Sequence, residues 1–204
     1  MSTTNEPVIP EQNSGASSDT EATATFEAET QAKAFYEVVK QRLLHVNAWQ
    51  KWAGAATAKF QLTDATGNDV DRTVNQGDHF KIDIPGPGPV TGDGFDWVQV
   101  QTIEETASGE SEQIIIQVKP ATNPTNANND VAHFFSDDAS SSFVVKREGN
   151  VVSAAVHGRN EKPNARAEKL VDKARNAAVA TGAVAAFSKL QWKSLVNGLV
   201  KKEA

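Results

Sequence analysis

The four histidines are the residues best suited to acid–base chemistry in this 204-residue chain, because imidazole titrates near neutral pH. They are His45, His79, His133 and His157, and none has the His-x₃-His or His-Glu-x-x-His spacing of a zinc site. His79 and His157 lie at the ends of predicted strands, where either could act as a general base if it faced a polar-lined cavity. An exposed or hydrogen-bonded strand-end histidine is the simpler interpretation, so we predict no catalytic residue.

A second group with chemical potential lies between Asp130 and Asp138, where His133 and Asp137 add further metal-ligating side chains. Its spacing lacks the alternating ligands and the central glycine of a calcium loop. The chain contains no cysteine, which excludes disulfides, a thiol nucleophile and thiolate-bound zinc. We therefore expect neither a metal nor a cofactor.

Two further motifs lack the neighbouring residues that their functions require. The glycines at 86, 88 and 92 superficially resemble a dinucleotide-binding loop, but the third comes one residue late and prolines interrupt the run. The three serines at 140–142 lack the glycines of a nucleophile elbow. We expect residues 85–94 to form a loop at the rim of a cavity instead.

The overall charge and hydropathy restrict the class of partner. The formal net charge is −6, whereas general nucleic-acid binding needs a basic face. Hydrophobic residues make up 39% of the chain and occur only in short runs, which excludes a transmembrane helix. The polar residues after Met1 do not resemble a secretory signal. We expect a cytoplasmic protein with no nucleic-acid partner and no membrane insertion.

The composition divides the chain into two parts. Residues 1–22 are almost entirely polar and offer too little apolar surface to offset the entropy of ordering, which predicts a disordered N-terminal tail. Residues 23–204 have the length and patterning of a single domain.

Within that domain the apolar pattern predicts the elements that must position any site. A short strand covers residues 24–28, and an amphipathic helix runs from Phe35 to Trp49 with a break near Asn47 and a stop at Gly54. A long helix fills residues 165–201, with small side chains over 177–186. Between the helices, alternation predicts strands at 57–63, 79–84, 97–103, 113–119, 143–147 and 151–157, while residues 120–130 form a long polar loop.

This order predicts an α+β fold in which a curved antiparallel sheet wraps around the long C-terminal helix. The first helices end in Trp49-Gln50-Lys51-Trp52, and residues 191–199 of the last helix contain Trp192. In these residues and in its element order the chain resembles the START-like (SRPBCC) superfamily, which has this helix-grip fold and includes polyketide cyclases, aromatase-type proteins and lipid-transfer domains. The resemblance implies that Trp49 or Trp52, and Trp192, are buried anchors.

The resemblance also suggests a role, which is to bind a small hydrophobic or amphipathic molecule in a cavity between the sheet and the C-terminal helix. We expect the protein to be a monomer or homodimer, with polar groups from strands or strand ends orienting the ligand. The predicted ligand-binding residues are Phe80, Ile82, Trp97, Gln99, Ile116, Phe143, His157, Arg159, Val184 and Phe187.

Two alternatives stay open at this point. Side chains could fill the cavity, leaving a ligand-free interaction module or homodimer whose loops and tail carry the function. The chain could also be a cyclase or dehydratase that uses His79 or His157 as its base.

Overall fold

The computed structural model describes residues 9–54, 57–85, 89–164 and 177–202. Within these ranges the helices are α1 (Glu29–Leu44), α2 (Trp49–Ala53) and α3 (Ala177–Leu199), with 3₁₀ turns at Val46–Ala48 and Val90–Gly92. The strands are β1 (Ala16–Thr25), β2 (Lys59–Thr63), β3 (His79–Asp83), β4 (Asp96–Ser108), β5 (Ser111–Pro120), β6 (Ser140–Glu148) and β7 (Val151–Glu161). All described strands pair antiparallel in one sheet, in the order β1-β7-β6-β5-β4-β3-β2.

The sheet has an inner face, covered by the helices, and an outer face. Successive strand residues point to opposite faces, so apolar residues at alternate positions gather on the inner one. Phe80 pairs with Val98 in neighbouring strands, Ile116 pairs with Phe143, and all four belong to the main buried cluster. The alternating pattern read from the sequence therefore fixes the core.

The break between the first two helices occurs at the predicted place and ties them to the sheet edge. The Asn47 side chain accepts a hydrogen bond from the backbone N–H of Leu62 and donates one to the carbonyl of Val70. Gly54 ends α2 with a φ of 96°, a conformation that favours glycine. Trp49 is completely buried, which confirms its expected role as an anchor, whereas Trp192 is only half-buried.

The predicted helix-grip arrangement is confirmed, since α3 packs against α2, β1 and β7. Gln191 on α3 accepts the backbone N–H of Ala58 through its side-chain oxygen, at 3.0 Å. A side chain at Gly198 would collide with the backbone of Trp52, so glycine allows α2 and α3 to touch. Among the described residues, no helix is long and apolar enough to span a membrane.

The N-terminal part of the chain differs from the expectation. Residues 16–22, assigned to the disordered tail, belong to β1, which pairs along β7 with Asp19 opposite His157 and Thr25 opposite Val151. Backbone hydrogen bonds to β7 order this edge strand although its side chains are mostly polar. Further upstream, the side-chain oxygen of Asn160 accepts the backbone N–H groups of Asn13 and Ser14. Residues 1–8 lie outside the described ranges.

The end of α3 depends on Arg42 of α1. Its guanidinium donates hydrogen bonds of 2.8 Å to the carbonyls of Leu199 and Lys201 and lies 4.2 Å from the ring centroid of Trp52. We expect Arg42→Ala to lower the free energy of unfolding by about 2 kcal/mol, because two helix-end carbonyls lose a charged donor. Urea denaturation of this variant beside Arg42→Lys, which keeps one cation, measures the effect. A change below about 0.5 kcal/mol would show that water replaces the guanidinium without loss.

Candidate functional site

A pocket of about 40 Å³ opens on the inner face, where α3 meets the ends of β3, β6 and β7 and the loop of residues 133–135. Apolar and aromatic side chains dominate its lining, and a few polar groups interrupt them. The residues that line it are Phe60, Ile82, Ile84, His133, Phe134, Phe135, Ser141, Glu161, Phe187, Ser188, Gln191 and Trp192.

Its aromatic wall combines a loop and a helix. Phe134 and Phe135 are half-buried, with ring centroids 4.3 Å apart, and His133 stacks on Phe134 at 4.3 Å. From the other side, α3 contributes Phe187 and Trp192, both half-buried. Partly exposed rings therefore converge on the mouth of the pocket from two separate elements.

Buried polar groups hold the loop in place. Asn164 donates its side-chain amide to the carbonyl of His133, and its backbone N–H bonds to the carbonyl of Phe134 at 2.8 Å. His133 accepts the backbone N–H of Phe135 through Nδ1 at 2.9 Å. Burial lowers the pKa of His133 to about 3, so the imidazole stays neutral with its proton on Nε2. The wall is fixed by hydrogen bonds before any ligand arrives.

Asp96 supports the same loop from beneath. This carboxyl group at the start of β4 accepts the backbone N–H of Phe134 at 2.9 Å. Burial raises the pKa of Asp96 to about 7, since the hydrogen bond to Phe134 opposes the desolvation only in part. The charge beneath the loop therefore changes near neutral pH.

Of the described residues that line the pocket, Glu161 alone carries a carboxylate. Asn160, with a φ of 56°, kinks the end of β7, and the Glu161 carboxylate accepts a hydrogen bond of 3.1 Å from the hydroxyl of Ser18. Burial raises the pKa of Glu161, although that hydrogen bond and Arg159 oppose the effect. The pocket thus contains one half-buried acidic group in an aromatic setting.

Five of the residues predicted to bind ligand lie on the inner face of the sheet or on α3, which covers it. Ile82 and Phe187 line the pocket. Phe80, Ile116 and Phe143 are buried in the core, 2% exposed or less. Trp49 packs on the rings of Phe80 and Phe143, so these two contribute to a filled core rather than to open space.

The remaining predicted residues do not meet at the pocket. Trp97, Gln99, His157 and Arg159 alternate with inner-face residues of β4 and β7 and therefore belong to the outer face, which corrects their assignment. The side chain of Val184 lies outside the described part of α3.

Contacts on the outer face account for Trp97, His157 and Arg159. The Trp97 indole donates to the carbonyl of Gly92, so the described part of the predicted rim loop covers Trp97 rather than the pocket. Asp19 accepts hydrogen bonds from both His157, at 2.6 Å, and Arg159, at 2.8 Å. His157 also borders a shallow outer groove of about 230 Å³ with Ile115, Val144 and Ala155 on its floor.

The histidines considered as catalytic bases are likewise absent from the pocket. His79 precedes the inner-face residue Phe80 and contacts Trp97 edge-on, at a centroid distance of 6.4 Å. Burial lowers the pKa of His79. Since His79 and His157 both belong to the outer face, neither can serve as a base in the inner pocket.

Three groups that the sequence did not single out dominate the pocket: Phe134, Phe135 and Glu161. The paired phenylalanines were a visible signal, because they end a long polar loop in which large apolar residues have no local purpose. Glu161 carried no such signal, since only the kink at Asn160 and the position of Ser18 bring it to the inner side.

The architecture resembles solved structures along nearly the whole chain. A hypothetical protein from Helicobacter pylori superposes with a TM-score of 0.51 at 12% identity, covering 96% of this chain and 97% of that one. A truncated norcoclaurine synthase from Thalictrum flavum superposes more loosely, with a TM-score of 0.37, 10% identity and coverage of 95% and 100%. The di-domain ARO/CYC StfQ of the steffimycin biosynthetic pathway gives 0.36 at 12% identity, covering 90% of this chain and 50% of that one.

No family model matches the chain, and no curated protein sequence matches it. At such low identities the structural likeness concerns the fold alone. It agrees with the curved antiparallel sheet and C-terminal helix described above.

Proposed function

We propose that this protein binds a small apolar or amphipathic molecule at the inner-face pocket. The observation that carries the proposal is the convergence of four half-buried aromatic rings at its mouth, from Phe134 and Phe135 on the loop and Phe187 and Trp192 on α3. Partly exposed aromatic surface beside a few fixed polar groups is typical of small-molecule sites.

The size of the pocket defines how a ligand would enter. Drug-sized ligands occupy roughly 300–1,000 Å³, whereas the pocket encloses about 40 Å³. One end of the molecule, a group of a few atoms, would fill the enclosed part. Its apolar body would lie across the exposed edges of the rings and Ile84, which is half-buried at the same mouth.

Binding agrees with the chemistry of the lining better than catalysis does. Its histidine, His133, is neutral, and its Nδ1 accepts the backbone N–H of Phe135 in the same loop. Glu161, Gln191 and Ser141 offer hydrogen-bonding groups that would orient a polar end group. The cyclase-type alternative needs His79 or His157 as a base inside the pocket, and both histidines lie on the outer face.

The test uses a neutral fluorescent probe and a pocket-filling variant. We expect N-phenyl-1-naphthylamine to bind the purified protein, and Ser188→Trp, which places a large ring in the pocket, to weaken binding at least tenfold. Lys193→Trp adds the same ring at an exposed position of α3 and should leave binding unchanged. Native mass spectrometry of protein purified without denaturation should detect a co-purified apolar species.

Equal binding by both variants would place the probe elsewhere, with the outer groove as the next candidate. No binding by the unmodified chain would overturn the proposal. Light scattering on the same samples would then test whether the protein is a ligand-free homodimer.

A further inference from the structure

The acidic group of the pocket, Glu161, forms no ion pair with a described residue. None of the ion pairs formed by described residues includes Glu161. Its cationic neighbours along the chain bond elsewhere, because Arg159 pairs with Asp19 on the outer face and Lys162 with Asp138. The described lining contains neither lysine nor arginine. A half-buried carboxylate thus faces an aromatic pocket with no ion-pair partner among the described residues, and the more distant charge of Arg159 offsets its burial only in part.

Other aromatic rings in this protein have a cation above them, but the described residues supply none to the rings of the pocket. Lys202 lies 3.9 Å from the ring centroid of Phe26, and Lys81 lies 4.4 Å from that of Phe95. No such contact from a described residue reaches the rings of Phe134, Phe135, Phe187 or Trp192. Ring faces attract cations, most strongly where water is excluded.

We infer that the ligand carries a primary ammonium group, which enters the enclosed part of the pocket and pairs with Glu161 while its apolar chain lies on the rings. This inference rests on the proposed function and specifies its ligand class. The enclosed volume of about 40 Å³ suits an end group of that size. Ser141 adds a hydroxyl oxygen as an acceptor for another N–H group of the ammonium.

Ligands that share one chain and differ in their end group isolate this effect. At pH 7, octylamine is a cation, 1-octanol is neutral and octanoate is an anion. In calorimetric titrations we expect octylamine to bind at least tenfold more tightly than 1-octanol, and octanoate to bind most weakly. In Glu161→Gln, octylamine and 1-octanol should bind alike. Glu104→Gln removes the same charge from an exposed position of β4 and should keep the preference.

The outcomes separate this inference from the proposed function. If 1-octanol and octylamine bind equally to the unmodified chain, the ammonium inference is wrong and apolar binding stands. If neither ligand binds, and the neutral naphthylamine probe does not bind either, the proposed function fails. Should Glu161→Gln fold poorly, the three-ligand comparison on the unmodified chain still decides.

Discussion

Replacing Trp49 by alanine should lower the free energy of unfolding by about 3–5 kcal/mol. The indole is fully buried at the centre of the inner face. Its ring contacts Phe60, Phe80 and Phe143 at centroid distances of 5.2, 5.5 and 4.8 Å, joining α2 to β2, β3 and β6. Truncation would leave a cavity that three surrounding rings cannot fill, and chemical denaturation would measure the loss.

Trp49→Phe separates the packing of this residue from its hydrogen bond. The indole N–H donates to the carbonyl of Leu43 at 2.9 Å. Phenylalanine keeps an aromatic ring but loses this donor and part of the ring area, so we expect a smaller cost of roughly 1–2 kcal/mol. Similar costs for the two variants would mean that the hydrogen bond, rather than the aromatic cluster, makes Trp49 important.

The fold could be predicted because the strongest local signals agree with one another. Alternation placed Phe80, Ile82, Ile114 and Ile116 on one face, and the structure buries all four on the inner face. The break near Asn47 was also predicted, and a 3₁₀ turn at Val46–Ala48 separates α1 from α2 there. These signals depend on neighbours in sequence, which single-chain reasoning can read.

The ordered N-terminal strand could not be predicted in the same way. Residues 16–22 read as a polar tail because their inner-face positions hold small or polar side chains such as Ser18 and Ala22. An edge strand is ordered largely by backbone hydrogen bonds to its neighbour, which leave no trace in side-chain type. The composition of a short segment therefore does not distinguish disorder from pairing along β7.

The wrong face was assigned to Trp97 because residue type was given more weight than alternation. Val98 and Val100 belong to the inner face, which places Trp97 and Gln99 on the other. Trp97 is nevertheless only 2% exposed, because Gly92 and Ala132 of two separate loops cover it. Large buried aromatic residues thus occur on both faces of this sheet, and burial alone does not identify the ligand side.

The candidate site was the least predictable part, since its geometry comes from contacts distant in sequence. Phe134 reaches the pocket because Asp96, 38 residues earlier, accepts its backbone N–H. Glu161 is held there by Ser18, 143 residues away. Of the predicted residues, Ile82 and Phe187 meet at the pocket, because each lies on the apolar side of an element that the sequence does specify.

We also predict a large effect of Asp96→Asn, which should stabilise the folded protein by an amount that depends on pH. The pKa of Asp96 is raised from 3.8 to about 7 by burial, so between these values the folded protein binds a proton that the unfolded chain has released. The contribution of Asp96 to stability is therefore full below about pH 4 and is lost as the pH rises to about 7. A shift of about 3 units corresponds to roughly 4 kcal/mol as an upper limit.

His133 acts in the opposite direction over much of the same range. Its pKa is lowered from 6.5 to about 3, so the unfolded chain binds the extra proton between these values and stability rises with pH up to about 6.5. Between pH 4 and 6.5 the contribution of His133 therefore opposes and partly hides that of Asp96 in the unmodified chain. Comparing Asp96→Asn with the unmodified chain at each pH isolates the contribution of Asp96.

An asparagine side chain in place of Asp96 would resemble the protonated aspartic acid and would still accept the backbone N–H of Phe134. We expect Asp96→Asn and the unmodified chain to have equal unfolding free energies at pH 4, and the variant to be more stable by about 2–4 kcal/mol at pH 8. The gain should develop between pH 4 and 7 and remain constant above that range, as urea denaturation at four or five pH values would reveal. A variant less stable than the unmodified chain at pH 8 would contradict this account, because it would mean that the charged carboxylate is favourably solvated beneath the Phe134 loop.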